Sequence, residues 1–419
     1  MNDYTALAGP AYFLLIAVEV WRARKRRLPL YRLNDAVNDI STGLLMQLGV
    51  LAFGGLIIAS YVGVYQFFRL WDWASDSGWT FFACFVAVDI AYYFFHRLSH
   101  EINFLWAAHI VHHQSEDYNL AVALRQSALQ PFFAAIFYLP LAVIGFPPEV
   151  FFICGSINTI YQFWLHTRMI GDLGPLEAVF VTPSHHRVHH GRNPIYLDRN
   201  HGGTFIVWDR LFGTFEKEAE EVVYGITYPL QSWNPVWANL HYWRELLRAA
   251  RRSGSLAERI RIFLASPGWY PESQGGVKIP PAVTASMKKF DPPYAPALAG
   301  YAAFQFALLV AMSIGLVFYS GVYGMPIELA GLIGVAWGIL NLGGLFETRT
   351  WSIYSESLRV LCLPVLAFLM LPGALAGVWG GLCLFGSVFF VLRVAGFRSD
   401  IPKPGKKDEG SVEAPERSR

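Results

Sequence analysis

Three short histidine boxes constrain this chain more than anything else in it. The first reads HRLSH from His96 to His100, the second HIVHH from His109 to His113, and the third HHRVHH from His185 to His190. Ten of the twelve histidines lie between His96 and His190, with His166 alone between the second and third boxes. His96 and His100 are spaced i, i+4. His109, His112 and His113 run i, i+3, i+4, and so do His186, His189 and His190. On helices these spacings set each group of imidazoles on one face, aimed at a common point. A structural zinc takes four ligands and a catalytic zinc three, so about eight or nine imidazoles fit two metal ions. Imidazole suits iron, zinc, copper and nickel. A lone histidine on an apolar helix is usually structural, but one spacing repeated across three boxes is not explained that way.

The rest of the sequence places those boxes at a membrane. Of 419 residues, 54% are hydrophobic and 15% charged, against roughly 25% charged in a soluble domain. A net charge of +2 gives no global field for nucleic acid. Basic clusters at Arg22 to Arg27 and Arg248 to Arg252 adjoin apolar segments and read as topology and headgroup contacts. Cys84, Cys154, Cys362 and Cys383 sit in apolar runs without CxxC spacing, as packing residues do, and imply neither a disulfide framework nor a thiolate metal site.

Apolar runs follow one another along the chain. The first, Tyr12 to Trp21 and reaching back to about Ala6, has no basic region before it, so no cleavable signal is expected. It ends in WRARKRR, which the positive-inside rule places in the cytoplasm. Leu44 to Phe68 and Trp79 to Phe95 then form a hairpin that returns His96 to that side. Ser127 to Phe146 and Glu149 to Leu165, joined by GFPP, form a second hairpin that returns His166 there too. Between them, QSEDYNLAVALRQS reads as polar and interfacial. After a long polar region come Pro296 to Phe318, Pro326 to Leu345, Leu358 to Leu371 and Gly373 to Leu392, and then a charged tail from Arg398 expected to be disordered.

The expected fold is an all-α, multi-pass integral membrane protein. It has about nine transmembrane helices and a cytoplasmic, histidine-rich di-metal region. Its parts are expected at 1–78 (first spans), 79–230 (catalytic region), 231–295 (interfacial linker), 296–397 (last spans) and 398–419 (tail).

His96-x3-His100, His109-x2-His112-His113 and His186-x2-His189-His190 resemble the three boxes of the fatty acid hydroxylase / sterol desaturase superfamily. The longer text is similar to its alkylglycerol monooxygenase branch: YYFFHRLSHEINFLWAAHIVHHQSEDYNLAVALRQS, YQFWLHT, LGPLE, TPSHHRVHHGRN, WDRLFGTFE and VVYGIT, from about Ala87 to Thr227. The resemblance implies a membrane-bound di-iron oxygenase. Such an enzyme hydroxylates the carbon beside an ether oxygen, and the product collapses to a fatty aldehyde and a glycerol derivative. Dioxygen is the oxidant and tetrahydrobiopterin the reductant. The implied iron ligands are His96, His100, His109, His112, His113, His186, His189 and His190, with His166 as a ninth. His185 stands beside the third box as a ligand or a supporting group. The partners are bilayer lipids, one of them the substrate. An electron-donor protein joins them if pterin does not serve, and nucleic acid is not among them.

Other residues carry weaker expectations. Glu101 follows a ligand and is the candidate to orient an imidazole, contact iron or hold the pterin edge; it is the one catalytic and cofactor-binding candidate outside the histidines. Glu116 and Asp117 read as solvated interfacial charge. Arg187 and Arg192 flank the third box as lipid-phosphate or headgroup contacts. Asp209 can support a ligand, cap a helix or form a salt bridge. His201 replaces a more usual tyrosine in RNHGG and reads as structural, and His241 as interfacial. The aromatic-rich stretches 81–95 and 151–165 are candidates to line a lipid tunnel.

Two rivals stand beside this reading. A sterol or fatty acyl hydroxylase or desaturase, fed by cytochrome b5 or ferredoxin, shares the boxes; the text between them favours the ether-lipid branch. A metal transporter or sensor would set ionisable ligands at mid-membrane, whereas these histidines fall at helix ends.

Overall fold

The structure is a computed structural model that describes residues 8–394 except 285, 320, 323, 371 and 372. The charged tail expected from Arg398 lies outside the described residues, as does the start of the first apolar run. The regular elements of the described residues are all helices, joined by turns and irregular segments and without extended strands. In chain order the long elements are α1 (Gly9–Lys25), α2 (Leu33–Phe68), α3 (Gly78–Glu101), α4 (Asn103–His109), α5 (Gln130–Ile144) and α6 (Pro148–Phe163). There follow α7 (Pro183–His189), α8 (Val207–Phe212), α9 (Pro235–Arg252), α10 (Leu256–Leu264), α11 (Pro296–Phe318), α12 (Met325–Phe346), α13 (Thr350–Met370) and α14 (Gly373–Val394).

Four of these, α2, α3, α11 and α12, are long and apolar enough to cross a membrane. The others that coincide with expected spans are helical too, but α5 and α6 have 15 and 16 residues. At 1.5 Å per residue each is about 22–24 Å long, short of a hydrocarbon core about 30 Å thick. They form a tight hairpin turned at Gly145, whose φ of 100° no β-carbon could accompany against the Trp71 carbonyl.

At 36 residues, α2 is longer than a span needs. Its polar first turns, Asn34, Asp35, Asn38, Asp39, Ser41 and Thr42, are all buried. They pack against the segment between the second box and α5. Here the structure corrects the sequence reading: residues 114–122 form a buried floor, not an interfacial loop. Charge compensation makes this possible. Asp117 pairs with Arg32 at 2.8 Å and Lys289 at 2.5 Å, and Glu116 accepts the Phe290 N–H at 2.7 Å. A buried carboxylate is tolerable when so matched.

One apolar cluster joins α2, α3, α5 and α6 around Tyr61, Val88, Leu141 and Phe151, with Cys84 and Cys154 in it as free thiols. Another holds α11 to α13 against α2. Inside that second bundle, Glu356 and Arg359 pair at 2.5 Å. Glu356 also accepts from Tyr301 and Asn341, and Arg359 donates to Gln305. This pair is buried but fully satisfied.

Candidate metal centre

The first box ends α3, where Ile102 turns to extended backbone and lets α4 return towards it. His109 closes α4, and a 3-10 turn from Ile110 to His113 carries the rest of the second box. His166 follows the end of α6, and α7 carries the third box. Nine imidazoles from these elements meet in two buried groups. His96, His100, His109, His113 and His189 form one; His112, His166, His186 and His190 form the other. Within each group one ring nitrogen per residue lies within 4.8 Å of all the others. The groups adjoin: the His113 and His190 rings stack at 4.4 Å, and His109 and His112 are 5.6 Å apart.

Six of the nine rings are fixed from behind, whereas Nδ1 of His186 has no protein partner. His96 Nδ1 meets the His201 carbonyl at 2.8 Å, His189 Nδ1 that of Arg199 at 2.9 Å, His112 Nδ1 that of Arg125 at 2.9 Å, and His166 Nδ1 that of Gln162 at 3.0 Å. His109 Nδ1 meets the Gln130 amide oxygen at 2.8 Å, and His100 Nδ1 lies 3.5 Å from Asp198. A carbonyl only accepts, so these Nδ1 atoms carry the protons and the Nε2 lone pairs point inward.

The inward nitrogens test whether metal fits. His112 Nε2 and His166 Nε2 are 3.3 Å apart, yet neither holds a proton to share. His166 also faces His186 Nε2 at 3.0 Å. Nε2 of His96, His100, His189 and His190 has no protein partner. Protonation does not resolve the clash, because burial pushes His112 down to about 4 and His109 to about 3. Cations placed among the lone pairs do. The all-nitrogen donor set suits iron or another imidazole-binding transition metal.

Two aspartates hold the backbone behind the five-histidine group. Asp209 accepts the N–H groups of His201 and Gly202, each at 2.7 Å, and the Thr214 hydroxyl. Asp89, on α3 seven residues before His96, accepts from Thr204, Phe205, Trp208 and Asn158. The loop pinned between them offers the Arg199 and His201 carbonyls to His189 and His96. Of its possible roles, Asp209 therefore takes the supporting one, through main chain. The sequence reading missed Asp89, although an acid within an apolar run was a visible signal.

Two cavities reach the cluster from different sides. A cavity of about 530 Å³ touches His109, His112 and His166. It is lined by Ile40 to Tyr61 of α2, Tyr92 and Phe95 of α3, Phe151 to Phe163 of α6, and Ser313 to Phe318 of α11. Parts of both expected tunnel stretches line it; the contributions of α2 and α11 were not anticipated. A second cavity of about 230 Å³ touches His100, His113, His189 and His190.

Other candidates lie outside the cluster. Glu101 is partly exposed and accepts from Arg97 one turn back at 2.8 Å. His185 Nε2 lies 3.8 Å from Glu177, and its ring packs on Phe215. Neither flanking arginine is a surface headgroup contact, which corrects the expectation. Arg187 is buried against Glu218 with bonds of 2.8 and 2.6 Å, and Arg192 is buried beside the smaller cavity. His241 is half-buried and lines that same cavity. His201 is fully buried, its ring 5.0 Å from that of His100, with no protein partner for either ring nitrogen.

The fatty acid hydroxylase family matches residues 81–214, the part of the chain that holds all nine clustered histidines. No solved structure matches the chain. The alkylglycerol monooxygenase of Xenopus tropicalis is 38% identical over 86% of this chain and 81% of its own length, and that of Homo sapiens is 38% identical over the same shares. An ornithine lipid hydroxylase of Rhizobium tropici is 31% identical over 31% of this chain and 40% of its own. Similarity that runs through the histidine boxes and on through most of both chains means that this chain belongs to the alkylglycerol monooxygenase family.

Proposed function

We propose that this chain is a membrane-bound di-iron monooxygenase that hydroxylates the ether-adjacent carbon of alkylglycerol-type lipids with dioxygen and a tetrahydropterin. The hydroxylated carbon is a hemiacetal, which collapses to a fatty aldehyde and a glycerol derivative. The observation that carries this reading is the larger cavity: apolar, walled by three membrane-crossing helices, and ending on His109, His112 and His166. A lipid chain entering from the bilayer would bring one carbon to the cluster without crossing water. The names of the relatives supply the substrate class.

The nine clustered histidines are the proposed ligands, five to one iron and four to the other. Iron bound there supplies the binding and reduction of dioxygen. The protein's own part is to fix six of the imidazoles through their Nδ1 partners, to keep bulk water out with Tyr92, Phe95, Phe151 and Phe163, and to hold the chain along the cavity. Glu101 lies near the exposed Asp198 carboxylate, which stands 3.5 Å from His100 Nδ1, and Asp198 lines the smaller cavity. The proposed role of Glu101 is at the reductant's side of the site. We place the histidine side in the cytoplasm, from the basic run that ends α1, and count the remaining apolar helices as further spans, nine in all, with the short α5 and α6 accommodated by local thinning of the bilayer.

The test is aldehyde release. Purified, iron-loaded protein receives an alkylglycerol, a tetrahydropterin and oxygen, with His112→Ala beside it. Pterin-dependent fatty aldehyde that vanishes in the variant supports the proposal. No aldehyde from a preparation holding two irons per chain overturns the substrate assignment, and sterol and acyl substrates with cytochrome b5 or ferredoxin come next.

A further inference from the structure

The larger cavity accounts for a lipid but leaves the smaller one without a role. The two touch different histidines, and their walls differ in kind. Three candidate membrane spans line the larger; of the spans, only His100 at the end of α3 reaches the smaller. The smaller cavity is built from α4, the turn that follows it and the segments from α7 onward, and apart from His100 these lie outside the candidate spans, which gives the cluster a second approach that does not pass between the spans.

Its chemistry is specific. Trp106, Tyr228, Tyr242 and Tyr270 give it aromatic walls, and the Trp106 ring lies 4.9 Å from His100 and 5.5 Å from His113. Arg192 lines it at 4% exposure. Its guanidinium donates to the Ile226 carbonyl at 3.2 Å and approaches the Met287 sulfur, its Nε has no partner, and among the described residues no carboxylate lies within ion-pair distance. A buried guanidinium left in this condition costs several kcal/mol unless a ligand completes it. Across the cavity, Glu245 accepts from Tyr270 at 2.5 Å and Lys278 at 3.0 Å through one oxygen, leaving the other for a donor. Donors on one wall, an acceptor on another and aromatic faces between them describe a flat molecule with a carbonyl edge and N–H groups.

We propose that this cavity binds the soluble reductant, a small planar heterocycle with an amide-like edge, while the lipid occupies the larger cavity. The inference rests on the monooxygenase reading above. In that reaction one oxygen atom is inserted into the C–H bond and the other leaves as water. The two electrons and two protons this requires come from the heterocycle, which departs oxidised. Separate approaches let both substrates be present at once, and let the oxidised donor leave to water without displacing the lipid.

The experiment uses the full-length, metal-loaded protein in lipid nanodiscs. Binding of biopterin, an oxidised analogue that cannot turn over, is followed by its fluorescence. Michaelis constants for tetrahydrobiopterin and for an alkylglycerol are measured in parallel. Glu245→Gln keeps the shape of the wall. Tyr228→Ala alters a residue 56% exposed. Each should weaken biopterin binding and raise the reductant KM about tenfold, the effect of one lost charged hydrogen bond or ring contact, with the alkylglycerol KM unchanged. Ala135→Trp, which fills the larger cavity, should do the reverse. The proposal is overturned if the Glu245 and Tyr228 variants raise the lipid KM alone or change neither constant, or if Ala135→Trp displaces biopterin. Aldehyde formed with reduced ferredoxin but not with tetrahydrobiopterin removes this site and keeps the oxygenase. Absence of aldehyde with every donor removes both.

Discussion

The main-chain carbonyl of Arg125 takes the Nδ1 proton of His112 at 2.9 Å. The Arg125 side chain then turns back beneath the same box. Its guanidinium donates to the Val111 carbonyl at 2.6 Å, to Asn38 at 2.6 Å, to Asp39 at 3.0 Å and to Gln114 at 2.6 Å. One residue thus sets the orientation of a proposed ligand and ties its box to the first turns of α2. Arg125→Ala would leave Asp39 buried without its cation, a loss of about 3–5 kcal/mol. The expected result is lower thermal stability and weaker metal retention in the four-histidine group, read by metal content per chain after mild chelation. Arg125→Lys, which keeps the charge but not the fork of donors, should retain more metal than the alanine variant.

The five-histidine group depends on a different support. Asp209 holds the loop whose carbonyls face His96 and His189, so Asp209→Ala acts on metal without touching a ligand. Supporting partners of this kind change metal affinity about 10–100-fold. Calorimetric titration of metal into the stripped protein should show one of two binding steps weakened. Two steps unchanged from the native protein would mean that the loop is held by Asp89 alone.

How much of this was legible beforehand follows from the range of the interactions. Box spacing is a local property, so the sequence could show each box gathering its imidazoles on one face; it could not show that the second box divides, His109 and His113 to one group and His112 to the other, or that His189 parts from His186 and His190. Burial of Asp117 could not. Its partners, Arg32 and Lys289, are 85 and 172 residues away in sequence, and nothing in QSEDYN distinguishes a compensated carboxylate from a solvated one. The same holds for Arg187, whose partner Glu218 is 31 residues on. The apolar runs were visible, but a short hairpin such as α5–α6 has the composition of a span without its length.

The larger cavity makes a prediction about chain length. Ala134 and Ala135 of α5 and Gly155 of α6 line it, and a β-carbon at Gly155 would meet nothing within 4 Å. Gly155→Leu should shorten the longest alkyl chain turned over. Rates with a series of alkylglycerols would fall first for the long members, with the short ones unaffected. Equal loss across the series would place the chain elsewhere.

Metal removal should make the protein acid-sensitive. In the stripped protein, burial holds His112 at about 4 and His109 at about 3, against 6.5 for a free imidazole. Between those values the unfolded chain binds protons that the folded chain refuses. Stability therefore rises with pH through this window and falls as the solution is acidified. Above about pH 7 both states are neutral at these residues and the contribution is flat. The metal-loaded protein, its lone pairs occupied, should be more stable wherever it keeps its metal, since ligands that bind only the folded state add to its stability. It should also lose metal as protons begin to compete for the imidazoles. Thermal melts of the two forms between about pH 5 and pH 8 measure this directly. The stripped form is expected to melt lower and to decline steeply below about pH 6.5. A stripped form as stable as the loaded one, with no decline in acid, would mean that the inward nitrogens are satisfied without metal and that the two groups are not metal sites.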